Sequence, residues 1–556
     1  MKSKSQIDEI SRRQLLHATG AFGVGGMAAL AGCTTGGDGG DGNGSDGGGG
    51  NGSDGGDGGD GGGETKAVIG PSTGPTTLDP QNHRETTTTT YLVHFYNGLV
   101  TRDNEMEIVP DVAKEWSNPD KTTWEFSLRE GVMFSNDEEF TAETVKYNLE
   151  RVSGQLNDKT LPISDLYESI DSIEVVDDYT ARINLKNPDP LFLENQAELL
   201  YVPKKYTEEN GFEALNDDPV GSGPYALDTW ERDEQMLMTA REDYYAGEAP
   251  LDTLEWQPRP EAVSRLSGLT SGDLDLIRSV SPESEGQVES SGNAKLAKVE
   301  SARSAALWLN MKQDVYDRDG AIFYDQPKLR KAVNYAINTQ SIIENILGGN
   351  ANPTHGWAPS KRYVGYNPDI EPYGHDPDRA RQLRDEAGFD EGDLSVKLLT
   401  PRERYPSGVA TSEAIATMLG EIGIDVELNA VEFGQFATAT QEGNIPGMMF
   451  ASWGNPKFNA LDSYLPLVKP GELFSLLPTN DQQDWVQTTS QKIATASQAG
   501  NREQLDSILQ ECEQILHDNA AFVFLFQYID VYGVGSDLDW QPRSDEIMYM
   551  FNASMQ

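Results

Sequence analysis

The sequence predicts a mixed fold of strands and helices, α/β or α+β, built as at least two lobes. The chain has 556 residues, which is more than one hydrophobic core usually organises. Short stretches of alternating apolar residues predict strands, and stretches with apolar residues three and four positions apart predict helices. Both patterns recur along the chain beyond residue 64.

The strand pattern is clear at three places. A first strand is predicted over residues 66–70. Residues 123–128 alternate between apolar and polar side chains, as expected for a half-buried strand. Two further strands within 173–185 are predicted to form a hairpin that turns at Asp177 and Asp178.

Capping residues mark the predicted helix starts. Thr141 is predicted to cap one helix, and Asp325 with Pro327 to open another. Asn338 is predicted to cap the next helix, and Pro377 to begin a later one. A long amphipathic helix is predicted over residues 505–516.

The first 32 residues have the features of an export signal. Arg12 and Arg13 form a twin-arginine pattern, and an apolar segment of small residues follows from Ala18 to Ala31. This segment is shorter than the roughly 20 residues that a membrane-spanning helix needs. A cleaved signal is therefore predicted, with an uncleaved anchor as the alternative, and the arginine pair predicts export in the folded state.

The signal ends in Leu30-Ala31-Gly32-Cys33, which resembles the lipobox of lipoproteins, in which the cysteine carries the lipid. Cys33 is therefore the predicted lipidation site. Residues 33–64 are nearly all Gly, Asp, Asn and Ser, which predicts a disordered tether. Asn43 and Asn51 lie in glycosylation acceptor patterns, or these patterns are accidents of the composition.

The chain is strongly acidic, with 90 acidic residues against 43 basic ones and a formal net charge of −47. Such an excess repels nucleic-acid phosphates and anionic lipid surfaces, so neither is expected as a partner. The carboxylates are interleaved with regular apolar patterns. We interpret the charge as the surface of a folded protein from a saline environment, where salt screens self-repulsion.

Motifs for catalysis and metal binding are largely missing. The chain has no GxxxxGK[ST], HExxH or CxxC pattern, and its six histidines lack metal-ligand spacing, so no metal or cofactor is expected. His83 and His94 could meet in space, but ordinary hydrogen-bonding roles are favoured. Residues 70–74 match the nucleophile-elbow pattern G-x-S-x-G around Ser72. That motif needs a helix immediately afterwards, and the proline-rich segment at 75–80 cannot start one.

Several blocks occur in an order that is typical of one protein family. Residues 128–134 read LREGVMF, and Thr141-Ala142-Glu143-Thr144-Val145 begins a helix as T-A-x-x-V. Residues 221–225 read GSGPY, and residues 330–337 read RKAVNYAI. On these blocks, residues 65–530 resemble the extracellular solute-binding proteins of family 5, the dipeptide- and oligopeptide-binding components of ABC importers.

The resemblance implies an α/β, two-lobed fold of the periplasmic-binding-protein type II, with an extra subdomain in the first lobe. The implied boundaries are 65–304 for the first lobe, with the subdomain at about 110–215, and 305–525 for the second lobe. Residues 526–556 are expected to return to the first lobe and form a C-terminal tail. The two lobes are expected to close on the ligand by a hinge.

In peptide-binding relatives, a G-W-x-x-D segment places a tryptophan on the ligand and an aspartate on its amino group. The matching stretch here predicts Trp453, Gly454 and Asn455 as ligand-binding residues. The aspartate is replaced, because Pro456 stands near its place and Lys457 has the wrong charge for an ammonium group. Asp462 could compensate only if the loop were rearranged. We therefore expect dipeptides to bind weakly.

Four further residues complete the predicted site. Arg404, or alternatively Arg402, falls where some relatives bind a ligand carboxylate, although a surface arginine paired with Glu403 is the ordinary interpretation. Trp308 and Trp357 are candidates for stacking on the ligand, with core packing as the equal alternative. Asn97 belongs to a block of family residues and is also predicted to contact the ligand.

Together these features predict a substrate-binding lipoprotein of an ABC importer that is not an enzyme. It would capture a peptide-like or other medium-sized polar solute, with a sugar, metal chelate or opine as alternatives, and deliver it to the permease. An exported serine hydrolase and a sensory or surface binding protein are the alternative functions. The protein is expected to be a monomer on the extracellular face of the cytoplasmic membrane, anchored through Cys33 and partnered by permease subunits.

Overall fold

The computed structural model describes residues 65–156, 160–312, 321–402, 404–472, 474–478 and 483–556. The predicted export signal, Cys33 and the tether lie outside the described residues, as does Glu403. Among the residues described, no helix combines the length and the apolar character that crossing a membrane requires.

The strands contain mainly alternating or continuous apolar residues. In chain order they are Lys66–Gly70 (β1), Val100–Arg102 (β2), Ile108–Pro110 (β3), Ala113–Ser117 (β4), Thr123–Leu128 (β5), Ile170–Asp177 (β6), Thr180–Leu185 (β7), Tyr225–Glu231 (β8), Gln235–Ala240 (β9), Thr253–Trp256 (β10), Leu276–Arg278 (β11), Ala294–Leu309 (β12), Ala351–Pro353 (β13), Leu394–Pro401 (β14), Ile424–Val431 (β15), Met448–Gly454 (β16), Phe522–Gly535 (β17), Leu538–Asp539 (β18) and Ser554–Met555 (β19).

The helices lie between these strands. In chain order they are Thr86–Leu92 (α1), Ala142–Val152 (α2), Phe192–Gln196 (α3), Lys204–Asn210 (α4), Ala262–Ser271 (α5), Pro282–Ser291 (α6), Pro327–Ala336 (α7), Thr339–Asn345 (α8), Pro377–Glu386 (α9), Gly408–Glu421 (α10), Phe433–Gln441 (α11), Ala460–Leu467 (α12), Asp484–Ala496 (α13) and Arg502–Asp518 (α14). Short 3-10 helices occupy Ser164–Tyr167, Phe212–Asn216 and Ala321–Phe323.

One large mixed sheet runs through the molecule. Its strand order is β15-β14-β16-β12-β17-β11-β1-β10-β9-β8, and β13 pairs with β17. β1 pairs in parallel with β10 and β11, and β14 pairs in parallel with β15 and β16. Helices connect the parallel strands, which makes the fold α/β, as the family resemblance implied.

The buried side chains form separate clusters that correspond to the parts of a two-lobed binding protein. The first lobe is centred on β1, β10 and β11, and the C-terminal residues Trp540 and Met550 pack against it. The extra subdomain has its own sheet, β4-β5-β7-β6, and its own core. The second lobe surrounds β14 and β16. The structure is therefore a two-lobed periplasmic-binding-protein type II fold with an extra subdomain.

Two long strands connect the lobes. β12 and β17 pair in antiparallel fashion from Ala294 opposite Gly535 to Trp308 opposite Phe522. The predicted domain boundaries at 304/305 and 525/526 fall inside these two strands, and the boundaries themselves stay predictions. Met106 and Leu191 of the first lobe belong to the buried cluster of the second, so the lobes are in contact.

The predicted elements are mostly found where the sequence placed them. β1, β5 and the β6–β7 hairpin are confirmed, with Ile173 opposite Ile183. Thr141 caps α2, and its backbone N–H donates to the Thr144 hydroxyl at 3.2 Å. The Asn338 side chain accepts the Ser341 N–H at 2.9 Å and caps α8.

Three details concern the predicted helices. Gln326, not Asp325, is the N-cap of α7, because Pro327 already occupies the first helical turn. The long C-terminal helix extends beyond residues 505–516 at both ends and is capped by Asn501. No helix follows Ser72, since α1 begins only at Thr86, so the geometry of a nucleophile elbow is missing.

Candidate functional site

The candidate site lies where β12 and β17 pass from one lobe to the other. Their register shifts between Glu300 and Ser304, at an irregularity that contains Arg303. On the other side of β12, Arg303 pairs with Gly454 of β16. A Cβ atom on Gly454 would lie 3.0 Å from Arg303 Nη2, so the glycine leaves room for the guanidinium group. The interruption of the pairing thus coincides with a charged side chain at the boundary of the lobes.

A cluster of charged side chains surrounds Arg303. Glu546, from the C-terminal segment, accepts hydrogen bonds from Arg303 Nε at 2.7 Å and Nη2 at 3.2 Å. Arg278 Nη2 lies 3.0 Å from Glu546 Oε2 and 3.5 Å from Asp530 Oδ1. Burial would raise the pKa of Glu546, but Arg278 and Arg303 hold it well below its usual range. Glu546 is therefore ionised at every physiological pH.

Several buried polar atoms near this cluster have no hydrogen-bond partner among the described residues. They are Arg278 Nε, Asp530 Oδ2 and the hydroxyl groups of Tyr528 and Tyr532. Burial raises the pKa of Tyr528, and the charges of Tyr405 and Arg303 act on it next, which places its hydroxyl close to the cluster. A buried polar atom without a partner costs about 1–3 kcal/mol. A ligand or water molecules bound to these atoms would remove this cost.

Arg404 of the second lobe lies close to the same cluster, since the charges of Arg303 and Glu546 act on it. Its side chain is solvent-exposed, yet desolvation lowers its pKa, with Arg303 as the second cause. Its guanidinium carbon lies 5.4 Å from the ring centres of both Tyr405 and Phe433. The result is a permanently charged donor flanked by two aromatic rings, which suits an anionic group attached to an apolar body.

Trp453, Gly454 and Asn455 lie at the end of β16, next to this cluster. The Trp453 ring packs 5.6 Å from Phe474 and is partly buried, and its Nε1 has no partner among the described residues. The Asn455 side chain donates to Asn459 O and Ser463 Oγ, both at 2.9 Å, so its amide group holds the local loop. Its Oδ1 has no partner in the described structure. Ligand contacts of these three residues stay predictions.

The other predicted ligand residues lie in packed environments. Trp308 and Trp357 are each 2% exposed and meet edge to face at 5.8 Å in the core of the second lobe, beside Phe522. Their rings therefore contribute core packing in this structure, which was the alternative interpretation. Asn97 is buried in the first lobe, where it donates to Asp111 and to the Tyr244 hydroxyl. Among the described residues, the hydrogen-bond partners of its side chain are Asp111, Tyr244 and Ser222, and none of these belongs to the cluster around Arg303.

Lys457 occupies the place where the expected aspartate is missing. Its Nζ lies 2.7 Å from Asp462 Oδ1 in the second lobe and 3.7 Å from Glu198 Oε2 in the first. Burial would lower the pKa of Lys457, but Asp462 and Glu198 raise it, so the ammonium group stays charged. Asp462 is thus already paired, and it does not compensate for the missing aspartate in this structure.

The charged residues of the cluster were not among the predicted site residues. Arg303 is the one charged residue in the run 301–309, and this position was the available signal. Arg278 ends the short strand β11 and gives a weaker signal. The sequence around Glu546 gives no signal, because only the fold brings the C-terminal segment back to the lobe crossing. In the described chain, no three His, Cys, Asp or Glu side chains are arranged to hold a metal ion.

Comparison with known proteins decides the family. Residues 107–474, more than half of the chain, match the family described as bacterial extracellular solute-binding proteins, family 5. The chain belongs to this family. Family 5 proteins are the solute-binding components of ABC importers, which bind peptides or similar solutes outside the membrane, and this chain has that function. An exported hydrolase or a sensory protein is not favoured.

Individual relatives agree with this family. The glutathione-binding protein GsiB of Shigella flexneri is 29% identical over 374 residues, covering 66% of this chain and 70% of the relative. The periplasmic binding protein DppA of Helicobacter pylori, in complex with the peptide STSA, superposes with a TM-score of 0.74 at 24% identity. That match covers 88% of this chain and 98% of DppA.

A third similar structure binds a different molecule. The binding protein AgaA of A. tumefaciens, in complex with agropinic acid, has a TM-score of 0.73 at 22% identity, over 88% of this chain and 99% of AgaA. These relatives are substrate-binding proteins of transporters rather than enzymes. The two structural matches show the shared two-lobed fold.

Proposed function

We propose that this protein captures a small organic acid, such as a short peptide or a peptide-like conjugate, between its lobes and binds its carboxylate through Arg404. The observation that carries the proposal is the local excess of positive charge. Arg278, Arg303 and Arg404 face the lobe crossing against two carboxylates, Asp530 and Glu546, in a chain with a net charge of −47.

The geometry favours Arg404 as the carboxylate donor. Among the described residues, no carboxylate lies within 4 Å of its guanidinium group, whereas Arg278 and Arg303 already share Glu546. A guanidinium group binds a carboxylate with two parallel hydrogen bonds. The molecules named for the three relatives, glutathione, the peptide STSA and agropinic acid, all contain at least one carboxylate. Tyr405 and Phe433 would contact the adjoining apolar part of the ligand.

Calorimetry with glutathione, Ser-Thr-Ser-Ala, agropinic acid and glucose tests the proposal. At least one of the three acids should bind and raise the melting temperature, while glucose should do neither. Arg404→Gln should weaken that binding about 10- to 100-fold, because a hydrogen bond to a charged group contributes about 1.5–3 kcal/mol. Arg402→Gln is the matched control, since Arg402 lies at the surface 3.9 Å from Glu432. Equal binding by wild type and Arg404→Gln would refute the proposal.

The export route and the anchor belong to the same proposal. Family 5 proteins act outside the cytoplasm, and the N-terminal sequence supports export by the twin-arginine route and lipid attachment at Cys33. Cys33→Ser should release the protein from the membrane fraction into the medium, and mass spectrometry should find no lipid on it. Replacing Arg12 and Arg13 by lysine should retain the precursor in the cytoplasm. A membrane-bound Cys33→Ser protein would contradict the anchor.

The proposal extends to oligomeric state and working conditions. The protein acts as a monomer that presents the bound solute to the permease subunits. Its acidic surface is adapted to high salt, where the Debye length falls to about 3 Å at 1 M and self-repulsion is screened. Light scattering should give the monomer mass, and the melting temperature should rise with KCl concentration. A constant melting temperature from 0.1 to 3 M KCl would argue against the saline environment.

A further inference from the structure

The C-terminal segment carries a charged residue into the candidate site. Glu546 lies eleven residues beyond the end of β17, and its side chain is 7% exposed. Its carboxylate accepts hydrogen bonds from Arg303 Nε at 2.7 Å and from the Ser301 hydroxyl at 3.3 Å, and Arg278 Nη2 lies 3.0 Å away. One carboxylate therefore contacts the last residue of β11 and two residues of β12.

The surrounding chain fixes the position of Glu546. Its φ angle is 69°, a left-handed conformation that is unfavourable for a residue other than glycine. On one side, Ser544 O accepts the Ala302 N–H at 2.7 Å. On the other, the Met550 N–H donates to His94 Nε2 at 3.0 Å. These contacts hold Glu546 in a backbone conformation that it would not adopt by itself, so the fold determines where its carboxylate lies.

The position of Glu546 determines the net charge that a ligand meets. Three guanidinium groups and two carboxylates face the lobe crossing, and Glu546 pairs with two of the three guanidinium groups. Asp530 lies 3.5 Å from Arg278, and one of its oxygens has no partner among the described residues. Burial raises the pKa of Asp530, with Arg278 opposing it. Of these three guanidinium groups, that of Arg404 alone has no carboxylate within 4 Å among the described residues.

We infer that Glu546 is a positioning residue that sets the charge selectivity of the site. Together with Asp530 it balances the charges of Arg278 and Arg303, so that one guanidinium group remains for the ligand. The site then selects a ligand end with one carboxylate over an end with two. Without the Glu546 charge, one of the cations that it balances becomes available, and a second carboxylate is accepted. This inference rests on the proposed binding of a carboxylate at Arg404.

Two tetrapeptides of nearly equal shape test the inference. Ser-Thr-Ser-Asn ends in one carboxylate, and Ser-Thr-Ser-Asp ends in two. The wild-type protein should bind the Asn peptide more tightly. Glu546→Gln, which keeps the side-chain shape and removes the charge, should shift the ratio of the two dissociation constants at least tenfold towards the Asp peptide.

Matched variants separate selectivity from stability. Glu546→Asp keeps the charge and should keep the wild-type ratio. Asp545→Asn removes a neighbouring buried carboxylate that pairs with Arg543, and it should keep the ratio as well. Arg278→Gln, which removes one of the balanced cations, should shift the ratio in the opposite direction, and this variant tests the inference independently if Glu546→Gln does not fold.

The outcomes distinguish this inference from the proposed function. If the wild type binds a peptide and neither Glu546→Gln nor Arg278→Gln changes the ratio, the role of Glu546 is refuted while the carboxylate site stands. If the wild type binds neither these peptides nor the three acids of the earlier panel, the proposed function fails and the inference fails with it. Shifts in opposite directions for the two variants would support it.

Discussion

Replacing Lys457 by methionine should destabilise the contact between the two lobes. The Lys457 side chain is 4% exposed, and its ammonium group lies between Asp462 of α12 and Glu198, which follows α3. Methionine keeps much of the side-chain volume but leaves two carboxylates without their cation. Breaking a fully buried pair costs about 3–5 kcal/mol. Because the two carboxylates are 17% and 32% exposed, we expect a loss of about 2–3 kcal/mol.

Urea unfolding and small-angle scattering measure this effect. Lys457→Met should lower the free energy of unfolding and increase the radius of gyration of the ligand-free protein, since an interlobe contact is lost. Adding Asp462→Asn and Glu198→Gln should recover most of the stability, because no uncompensated buried charge then remains. Lys469→Met is the control, since Lys469 pairs with Glu472 at the surface and such pairs contribute about 0–1 kcal/mol. A Lys457→Met protein as stable as wild type would refute the ion bridge.

The structure makes three further predictions. Burial raises the pKa of Glu513 to about 7, so between about pH 4.5 and pH 7 the folded state holds a proton that the unfolded state has released. The stability that Glu513 contributes is therefore complete below its unfolded pKa of about 4.5. It falls by about 3 kcal/mol as the pH rises to 7. Glu513→Gln should abolish that loss in urea unfolding at pH 5 and 8, and an unchanged loss would contradict it. Burial lowers the pKa of His94 to about 4. The stability that neutral His94 contributes is therefore complete above pH 6.5 and is lost as the pH falls towards 4. Hydrogen exchange at low pH should show residues 540–550 opening first, and uniform exchange along the chain would argue against this. Gly221→Ala should reduce the free energy of unfolding by more than about 3 kcal/mol, because the new Cβ would lie 1.9 Å from Phe95 O. Gly286→Ala in α6 has open space around it and should raise the free energy of unfolding by about 0.5–1 kcal/mol in the same assay.

Local structure was the most predictable part of the fold. Thr141 and Asn338 begin their helices with hydrogen bonds to residues three positions away. The Thr141 N–H donates to the Thr144 hydroxyl and the Asn338 side chain accepts the Ser341 N–H, so the sequence contains the whole interaction. The glycines of the GSGPY block were predicted as a family motif, and the structure gives a physical reason. Gly221 and Gly223 pass so close to the backbone of Phe95 that neither position accepts a Cβ.

The candidate site was harder to predict because its charges come from distant parts of the chain. Arg278, Arg303 and Glu546 are separated by up to 268 positions, and no local pattern relates them. Trp308 and Trp357 show the opposite difficulty. The sequence does not distinguish a tryptophan that lines a cleft from one that packs in a core. Only the packing of both rings against Phe522 shows that they lie in the core.

The acidic surface and the cluster of charged side chains around Arg303 act over different distances, and salt screens the first more than the second. At about 1 M salt, charges more than roughly 3 Å apart in water barely influence one another, so the net charge of −47 neither attracts nor repels a distant solute. The bonds of Glu546 to Arg303 and Arg278 span 2.7 to 3.2 Å and involve a buried carboxylate, so salt screens them less. Under the proposed function, selection of the ligand therefore depends on direct contacts at the lobe crossing. A charge-balanced cluster beside one guanidinium group without a carboxylate partner can discriminate by charge where the surface as a whole cannot.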